Sequence, residues 1–448
     1  MSYLSTQSYK GTRDYYPQDK LLQNYIFATW RRVAESYGYE EYMTPLLESF
    51  DLFAAKTGQE IVNEQTYSFT DRGDRQVVIR PEMTPGVSRM VAARRQEMAY
   101  PARLYSIANF MRYERPQKGR EREFWQMNVD LFGVEGLEAD IEIISMADAI
   151  MKAFGATEKM FTIKVNSRTL IDVMMCDYLE LDVMQAALMI KLFDRKDKMS
   201  HEEFRDAAAD IFDDGKATEG LGRIAKLVGA KTMQELPKLV RESKPVQDVQ
   251  QLFDQLRLRG THSAVFDITL MRGFDYYTDV VFEVFDLHPD NRRAMFGGGR
   301  YDGLVSLFGV DTVPTVGMAP GATMMEEFLT THKLVPKLRP ATEAYMLVLG
   351  DKTLPAAQSL ATRLRAEGVR VAVDITGRKL DKQLKSAIKL NVPFLLFVGE
   401  TEIAEDRYTV KFTAEASEHK MSFERLVATI HDHRVQDDEA AVNRLFDV

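Results

Sequence analysis

The stretch "MRYERPQKGREREFWQMNVDLFG", residues 111–133, holds five cations within eleven positions: Arg112, Arg115, Lys118, Arg120 and Arg122. The chain around it is acidic, with a formal net charge of -9 over 448 residues. Guanidinium groups gathered in an acidic protein call for an anion. Strand-like segments lie on both sides, "RLYSIANFMRYE" and "REFWQMNVDLFG", so the spacing predicts a β-hairpin with "RPQKGRE" as its loop. On the second strand Trp125, Met127, Val129 and Leu131 face one way, and Phe124, Gln126, Asn128 and Asp130 the other. Arg112 and Glu114 share a face of the first strand. If the polar faces coincide, the sheet carries a floor of charged and amide groups; an antiparallel sheet with one wetted face gives the same alternation. Guanidinium forks match phosphate oxygens bidentately, and Phe124 on the same side could stack on a base. The plain alternative is a solvated hairpin whose charges are met by Glu114, Glu121 and Glu123.

The length predicts two to four domains. Hydrophobic residues at 45% and charged residues at 28% fit a globular chain with a large core. The lone cysteine, Cys176, excludes an intrachain disulfide framework and a cysteine zinc cluster, and suits a reducing compartment. The opening "MSYLSTQSYKGTRD" has no apolar signal segment, and no run of about 18 apolar residues occurs, so a cytoplasmic protein without membrane contact is expected.

Along the chain, Leu22, Ile26, Trp30, Val33 and Tyr37 predict an amphipathic helix over 19–37, ended by Gly38. "YEEYMTPLLE" follows as an extended segment, then the strand "QVVIRPEMT" and a helix near 85–97. Residues 168–258 read as a charged, helical insertion. "FDITLMRGFDYYTDVVFEVFD" is strand-like and aromatic; alternation places Asp275 and Tyr277 on one face, which suits either a core hydrogen-bonded pair or a small polar ligand. "GGGRYDG" lacks the Lys-Ser or Lys-Thr of a P-loop and the spacing of a dinucleotide turn, so a tight turn with close backbone approach is expected. "VPKLRPAT", residues 335–342, reads as a linker, and from 343 on strands and helices alternate as in a small α/β domain. The seven histidines show no metal-ligand or triad spacing.

Together and in this order, these segments resemble the histidyl-tRNA synthetases, a class II aminoacyl-tRNA synthetase family, over nearly the whole chain. "GTRDYYP" is similar to the family's opening segment, and the first helix with the Pro45 strand to its motif 1. Residues 111–133 resemble motif 2, and "MRGFDYYTDVVFE" and "GGGRYDGL" two histidine-specific segments. The implied fold is α+β: a class II antiparallel sheet flanked by helices (1–167 and 259–334), a helical insertion (168–258), the linker, and a C-terminal α/β anticodon-binding domain (343–448). The implied activity is histidine–tRNA ligation: ATP activates histidine to the adenylate, and the histidyl group passes to the 3′ end of its tRNA.

The resemblance also implies roles. Arg112 holds the α-phosphate of ATP and the histidine carboxylate, Glu114 meets the adenine amino group, Phe124 stacks on adenine, and Arg120 and Arg122 meet phosphates. Glu82, Thr84 and Gln126 take the substrate's α-amino group. Asp130 and Tyr277 pair with the imidazole nitrogens, helped by Tyr301 and beside Tyr276. Arg272 stands near the α-phosphate as a fixed cation. Arg115 and Gln117 approach the tRNA acceptor end, and Arg378, Lys382 and Lys385, at i, i+4 and i+7, the anticodon stem-loop. Mg²⁺ arrives with ATP, with no metal held by the protein and no permanently bound cofactor. A homodimer is implied.

One segment departs from the pattern. Counting from Gly317 and Gly321, the motif 3 Glu-Arg pair falls on Thr323 and Met324, neither charged. A tolerated variation, a displaced basic residue such as Lys333, and a paralogue that no longer makes the adenylate all fit. The rival function is therefore a catalytically inactive, histidine-sensing regulatory subunit of ATP phosphoribosyltransferase, which the resemblance describes as lacking the anticodon domain.

Overall fold

The computed structural model describes residues 3–54, 65–117, 119–196, 199–213, 215–271, 276–291 and 293–446, without side chains for 351 and for 435–446. Two compact units are distinguished: residues up to Asp14 with Ile26–Leu334, and Tyr15–Tyr25 with the chain from Val335 on. The helical stretch 168–258 groups with the first unit.

Helix α1 (Pro17–Ser36) buries Ile26, Trp30 and Val33, and Gly38 follows it at φ +80°, a conformation that glycine adopts without strain. Strand β1 (Glu40–Glu41) comes next. A small antiparallel sheet of β2 (Leu47–Ser49), β3 (Tyr67–Thr70) and β4 (Gln76–Ile79) packs against α2 (Phe50–Ala54), with Phe53 and Val78 buried. Helix α3 (Thr84–Arg94) carries a proline in its first turn, where a missing N–H costs nothing.

The expected hairpin forms from β5 (Ala102–Met111) and β6 (Glu123–Phe132), in register from Ala102 opposite Phe132 to Met111 opposite Glu123. Its loop is longer than "RPQKGRE". The N–H of Glu114 turns back to the Arg112 carbonyl (2.8 Å), which takes the backbone out of the ladder. Arg112 and Glu114 are therefore loop residues.

After α4 (Glu138–Ala153) and β7 (Phe161–Ser167), the chain is helical as the charge pattern predicts. It forms α5 (Arg168–Asp172), α6 (Val183–Arg195), α7 (His201–Ala209), α8 (Ala217–Gly229), α9 (Lys238–Arg241) and α10 (Lys244–Leu258). Capping boxes of Asp182 with Gln185 and Ser200 with Glu203 start two of these helices by satisfying their free N–H groups. Strands β8 (Ala264–Phe266), β9 (Val280–Asp286), β10 (Ala294–Arg300) and β11 (Thr315–Met318), then α11 (Ala322–Thr331), complete the unit. The large sheet runs β1-β5-β6-β11-β10-β9-β7-β8, antiparallel except where β1 and β8 join its edges.

The glycine run corrects an expectation: Gly297, Gly298 and Gly299 lie within β10, not in a tight turn. A Cβ on Gly298 would stand 2.3 Å from the Gly317 carbonyl oxygen, and one on Gly299 2.9 Å from the Tyr277 ring. Close backbone approach is the part of the reading that holds.

The second unit contains β12 (Ala344–Val348), α12 (Leu354–Ala366), β13 (Val371–Val373), α13 (Leu380–Lys389), β14 (Phe394–Val398), α14 (Glu400–Glu405), β15 (Arg407–Phe412), β16 (Ser417–Ser422) and α15 (Phe423–Phe446). Its sheet runs β13-β12-β14-β15-β16. Every residue of β12 is buried, because Ala344, Met346 and Val348 face one helical layer and Tyr345 and Leu347 the other.

At the end of β10, Arg300 is buried and donates from Nε to Asp140 (3.2 Å) and through its terminal nitrogens to the carbonyls of Val134 (3.0 Å) and Gly136 (2.9 Å). Burial holds Asp140 up at about 6 despite this cation. Replacing Arg300 by Leu strands a buried carboxylate, and denaturant unfolding should show a loss of about 3–5 kcal/mol. The double change with Asp140→Leu should recover much of it. Equal losses in the two variants would contradict this account.

Candidate active site

Strands β5, β6, β9, β10 and β11 floor a cavity of about 450 Å³. It is lined by Glu82, Thr84, Arg112, Glu114, Arg120, Phe124, Gln126, Asp130, Tyr276, Tyr277 and Tyr301. Residues from five separate segments of sequence thus meet in one place.

Asp130 stands on the polar face of β6, 2% exposed. Tyr42 donates to its Oδ2 (3.2 Å) and Tyr301 to its Oδ1. Burial pushes the carboxyl up to about 7, although both phenols favour the charged form. Gly317 is opposite on β11, where a Cβ would stand 2.6 Å from Asp130 Oδ1. Tyr276 donates to Glu82 Oε2 (3.0 Å), and burial holds the Tyr276 hydroxyl far above the ordinary phenol value. The ring of Tyr277 lies 5.2 Å from that of Tyr276 and 6.4 Å from that of Tyr301. Gln126 donates its amide to the Ala319 carbonyl (2.9 Å), which leaves Oε1 as an acceptor.

At the other end, Arg112 donates from Nε to the Pro81 carbonyl (2.9 Å) and lies over the Phe124 ring at 5.2 Å. Arg120 pairs with Glu114 (3.1 Å). Thr323 and Met324 line the cavity where α11 begins, and the loop crosses above them: a Cβ on Gly119 would meet Met324 Sδ at 2.5 Å. Thr323 donates to Glu121 (3.3 Å), which Arg13 also pairs (3.1 Å). Lys333 lies beyond the end of α11 and is not among the lining residues.

Several expected residues sit elsewhere. Arg122 does not line this cavity. It is 8% exposed, its Nε donates to the Glu114 carbonyl (3.1 Å), and its guanidinium lies 4.0 Å from the Tyr113 ring centre, so it braces the loop from behind. Arg115 and Gln117 are exposed on the loop, where Arg293 donates to Gln117 Oε1 (2.8 Å). Arg378 precedes α13 and forks onto Asp374 (2.9 Å) and Thr376 (2.7 Å), so it does not share a helix face with the exposed Lys382 and Lys385. Tyr277 stands in the irregular lead into β9, so strand alternation does not place it. Arg272 and Asp275 lie outside the described residues. Tyr42 escaped the sequence reading because nothing in "YEEYMTPLLE" signals that its hydroxyl reaches β6.

This constellation is matched elsewhere. The model of the family described as histidyl-tRNA synthetase matches residues 11–324, and the anticodon binding domain model residues 343–433. The chain belongs to the histidyl-tRNA synthetase family. A histidine–tRNA ligase of Leptospira biflexa is 38% identical over 431 residues, covering 96% of this chain and 98% of that protein. A crystal structure of the histidyl-tRNA synthetase from Nostoc sp. PCC 7120 shares the fold, with a TM-score of 0.82 at 22% identity over 96% of this chain and all of that one. So does a Bacillus halodurans structure titled as an ATP phosphoribosyltransferase regulatory subunit/histidyl-tRNA synthetase, with a TM-score of 0.72 at 23% identity over 86% and 97%. As a member of the histidyl-tRNA synthetase family, the chain is an aminoacyl-tRNA ligase. Enzymes of that class use ATP and Mg²⁺. Among the described residues, no three His, Cys, Asp or Glu side chains gather to hold a metal, and no helix is long and apolar enough to cross a membrane.

Asp130 ionises near its ordinary 3.8 when the chain unfolds and near 7 when it is folded, so the native state binds more protons between those values. Stability from this group is present below about 4 and is lost as pH rises to 7. In Asp130→Asn that slope disappears, so the variant should gain in Tm relative to the parent as pH climbs from 4 to 7. Parallel Tm curves would contradict it.

Proposed function

We propose that this enzyme joins histidine to its tRNA by way of histidyl-adenylate. The observation that carries the reading is the meeting of Asp130, under two tyrosine hydroxyls, with Arg112 and Arg120 in one cavity. The buried carboxylate accepts an imidazole N–H, and Tyr277 faces the second ring nitrogen. Glu82, Thr84 and the free Oε1 of Gln126 take the ammonium. The histidine carboxylate, already ionised, attacks the α-phosphorus of Mg-ATP in line. A bond forms from that carboxylate oxygen to phosphorus, the bond to the β-phosphate oxygen breaks, and pyrophosphate leaves with Mg²⁺. Arg112 and Arg272 stabilise the charge that builds on the phosphoryl oxygens, so the step needs positioned cations more than an acid or base. Glu114 and Phe124 hold the adenine, and Arg120 meets the outer phosphates. The terminal ribose hydroxyl of the tRNA then displaces AMP.

In the same reading, Arg115 and Gln117 meet the acceptor end, and Arg378, Lys382 and Lys385 meet the anticodon arm through the module from 343 on. Residues 1–167 and 259–334 carry the chemistry, 168–258 is an inserted module, and 335–342 links to the last domain. Two copies pair through the α1 and β1 region, and the enzyme works in the cytoplasm. The uncharged Thr323 and Met324 favour a second reading, a histidine sensor that makes no adenylate. The anticodon binding domain match at 343–433 speaks for the ligase.

Arg112→Ala should lower both histidine-dependent ATP–pyrophosphate exchange and tRNA charging by on the order of 10²–10³. Gln117→Ala should spare exchange and lower charging by on the order of tenfold. Near-normal exchange in the first variant would overturn the assignment of Arg112, and a joint loss in the second that of the loop.

A further inference from the structure

Asn128 lies on β6 between Gln126 and Asp130, on the face that lines the cavity, and is 3% exposed. Its Oδ1 is buried without a hydrogen-bond partner. The neighbouring polar groups are engaged. Gln126 has given its amide to Ala319, and both oxygens of Asp130 accept from tyrosines. Ser106, opposite Asn128 on β5, turns its hydroxyl to Met43 Sδ (3.8 Å). Gly297, Gly298 and Gly317 line the same cavity and bring no side chain that could answer the amide. A buried carbonyl-type acceptor left unmatched is costly, and one that borders a cavity is matched by what fills the cavity.

We propose that Asn128 is a specificity-determining residue whose Oδ1 accepts an N–H of the bound amino acid. This rests on the reading of the cavity as a histidine site and extends it, since no role was expected of Asn128. Side chains two apart on a strand stand about 7 Å from each other, so Asn128 borders the middle of a substrate whose ammonium lies at Gln126 and whose ring lies at Asp130. Histidine presents N–H groups at both ends, and the shared chemistry is a donor facing a carboxamide oxygen. A side chain without such a donor leaves that oxygen stranded.

The test is histidine-dependent pyrophosphate exchange by Asn128→Ala and Asn128→Asp. The alanine variant should raise KM for histidine by on the order of 10- to 100-fold with KM for ATP unchanged, and the aspartate variant, which keeps an acceptor oxygen there, should recover much of the loss. Imidazolepropionate, which lacks the ammonium, separates the two donors. Equal binding by parent and alanine variant assigns the ammonium, and a loss matching that for histidine assigns the ring N–H. An unchanged histidine KM in Asn128→Ala would overturn the proposal, as would a parallel rise in both KM values. If the parent shows no exchange, the ligase reading fails by itself. Calorimetric titration of histidine into parent and variant then still decides the role of Asn128: weaker binding by the variant supports it, and equal binding overturns it.

Discussion

A carboxylate removed from water at the floor of a sheet is the constraint around which this molecule is arranged. Asp130 keeps its place because Tyr42 and Tyr301 donate to it and because Gly317 leaves room for it. Those three residues come from the chain before β5, from the turn after β10 and from β11. Satisfying one acidic group thus draws together distant stretches of sequence. The glycines of β10 bring its backbone close to β9, β11 and Tyr277. The buried Arg300–Asp140 pair anchors the end of that strand, next to Tyr301. An acid held near neutrality in such a place has high value for a ligand with N–H donors, and discriminates sharply against one without them.

The cationic end is built differently. Arg112 is fixed by a carbonyl and an aromatic face, whereas Arg120 is exposed and held by Glu114 alone. A phosphate can take over the second guanidinium at little cost, because exposed ion pairs contribute little. Where relatives are expected to carry a charged pair, Met324 supports the loop at Gly119 and Thr323 shares Glu121 with Arg13. In this chain that corner holds the loop down.

Much of this was legible in the sequence, for physical reasons that differ by element. The hairpin showed because a strand half exposed to a cavity alternates strictly, and Phe124, Gln126, Asn128 and Asp130 stood out against Met127, Val129 and Leu131. The first helix and the charged insertion showed through their periodicity and caps. The glycine run did not show as a strand, since glycine in β10 answers to neighbours across the sheet, which local sequence does not encode. Arg122 looked like the other loop cations, and only its contacts with Tyr113 and the Glu114 carbonyl set it apart. Arg378 matched a helical period by number alone, and Asp374 holds it in the preceding turn. Tyr42 and the unmatched oxygen of Asn128 are facts of tertiary structure, and no pattern in the chain announces them.

The most direct measurement is ATP–pyrophosphate exchange by the purified protein against a panel of amino acids, histidine among them. The account predicts exchange with histidine alone, with rejection of the others by on the order of 10⁴ or more, because any other side chain leaves Asp130 without its N–H partner. Exchange supported by an amino acid without a ring N–H, or histidine binding with no exchange at all, would contradict it.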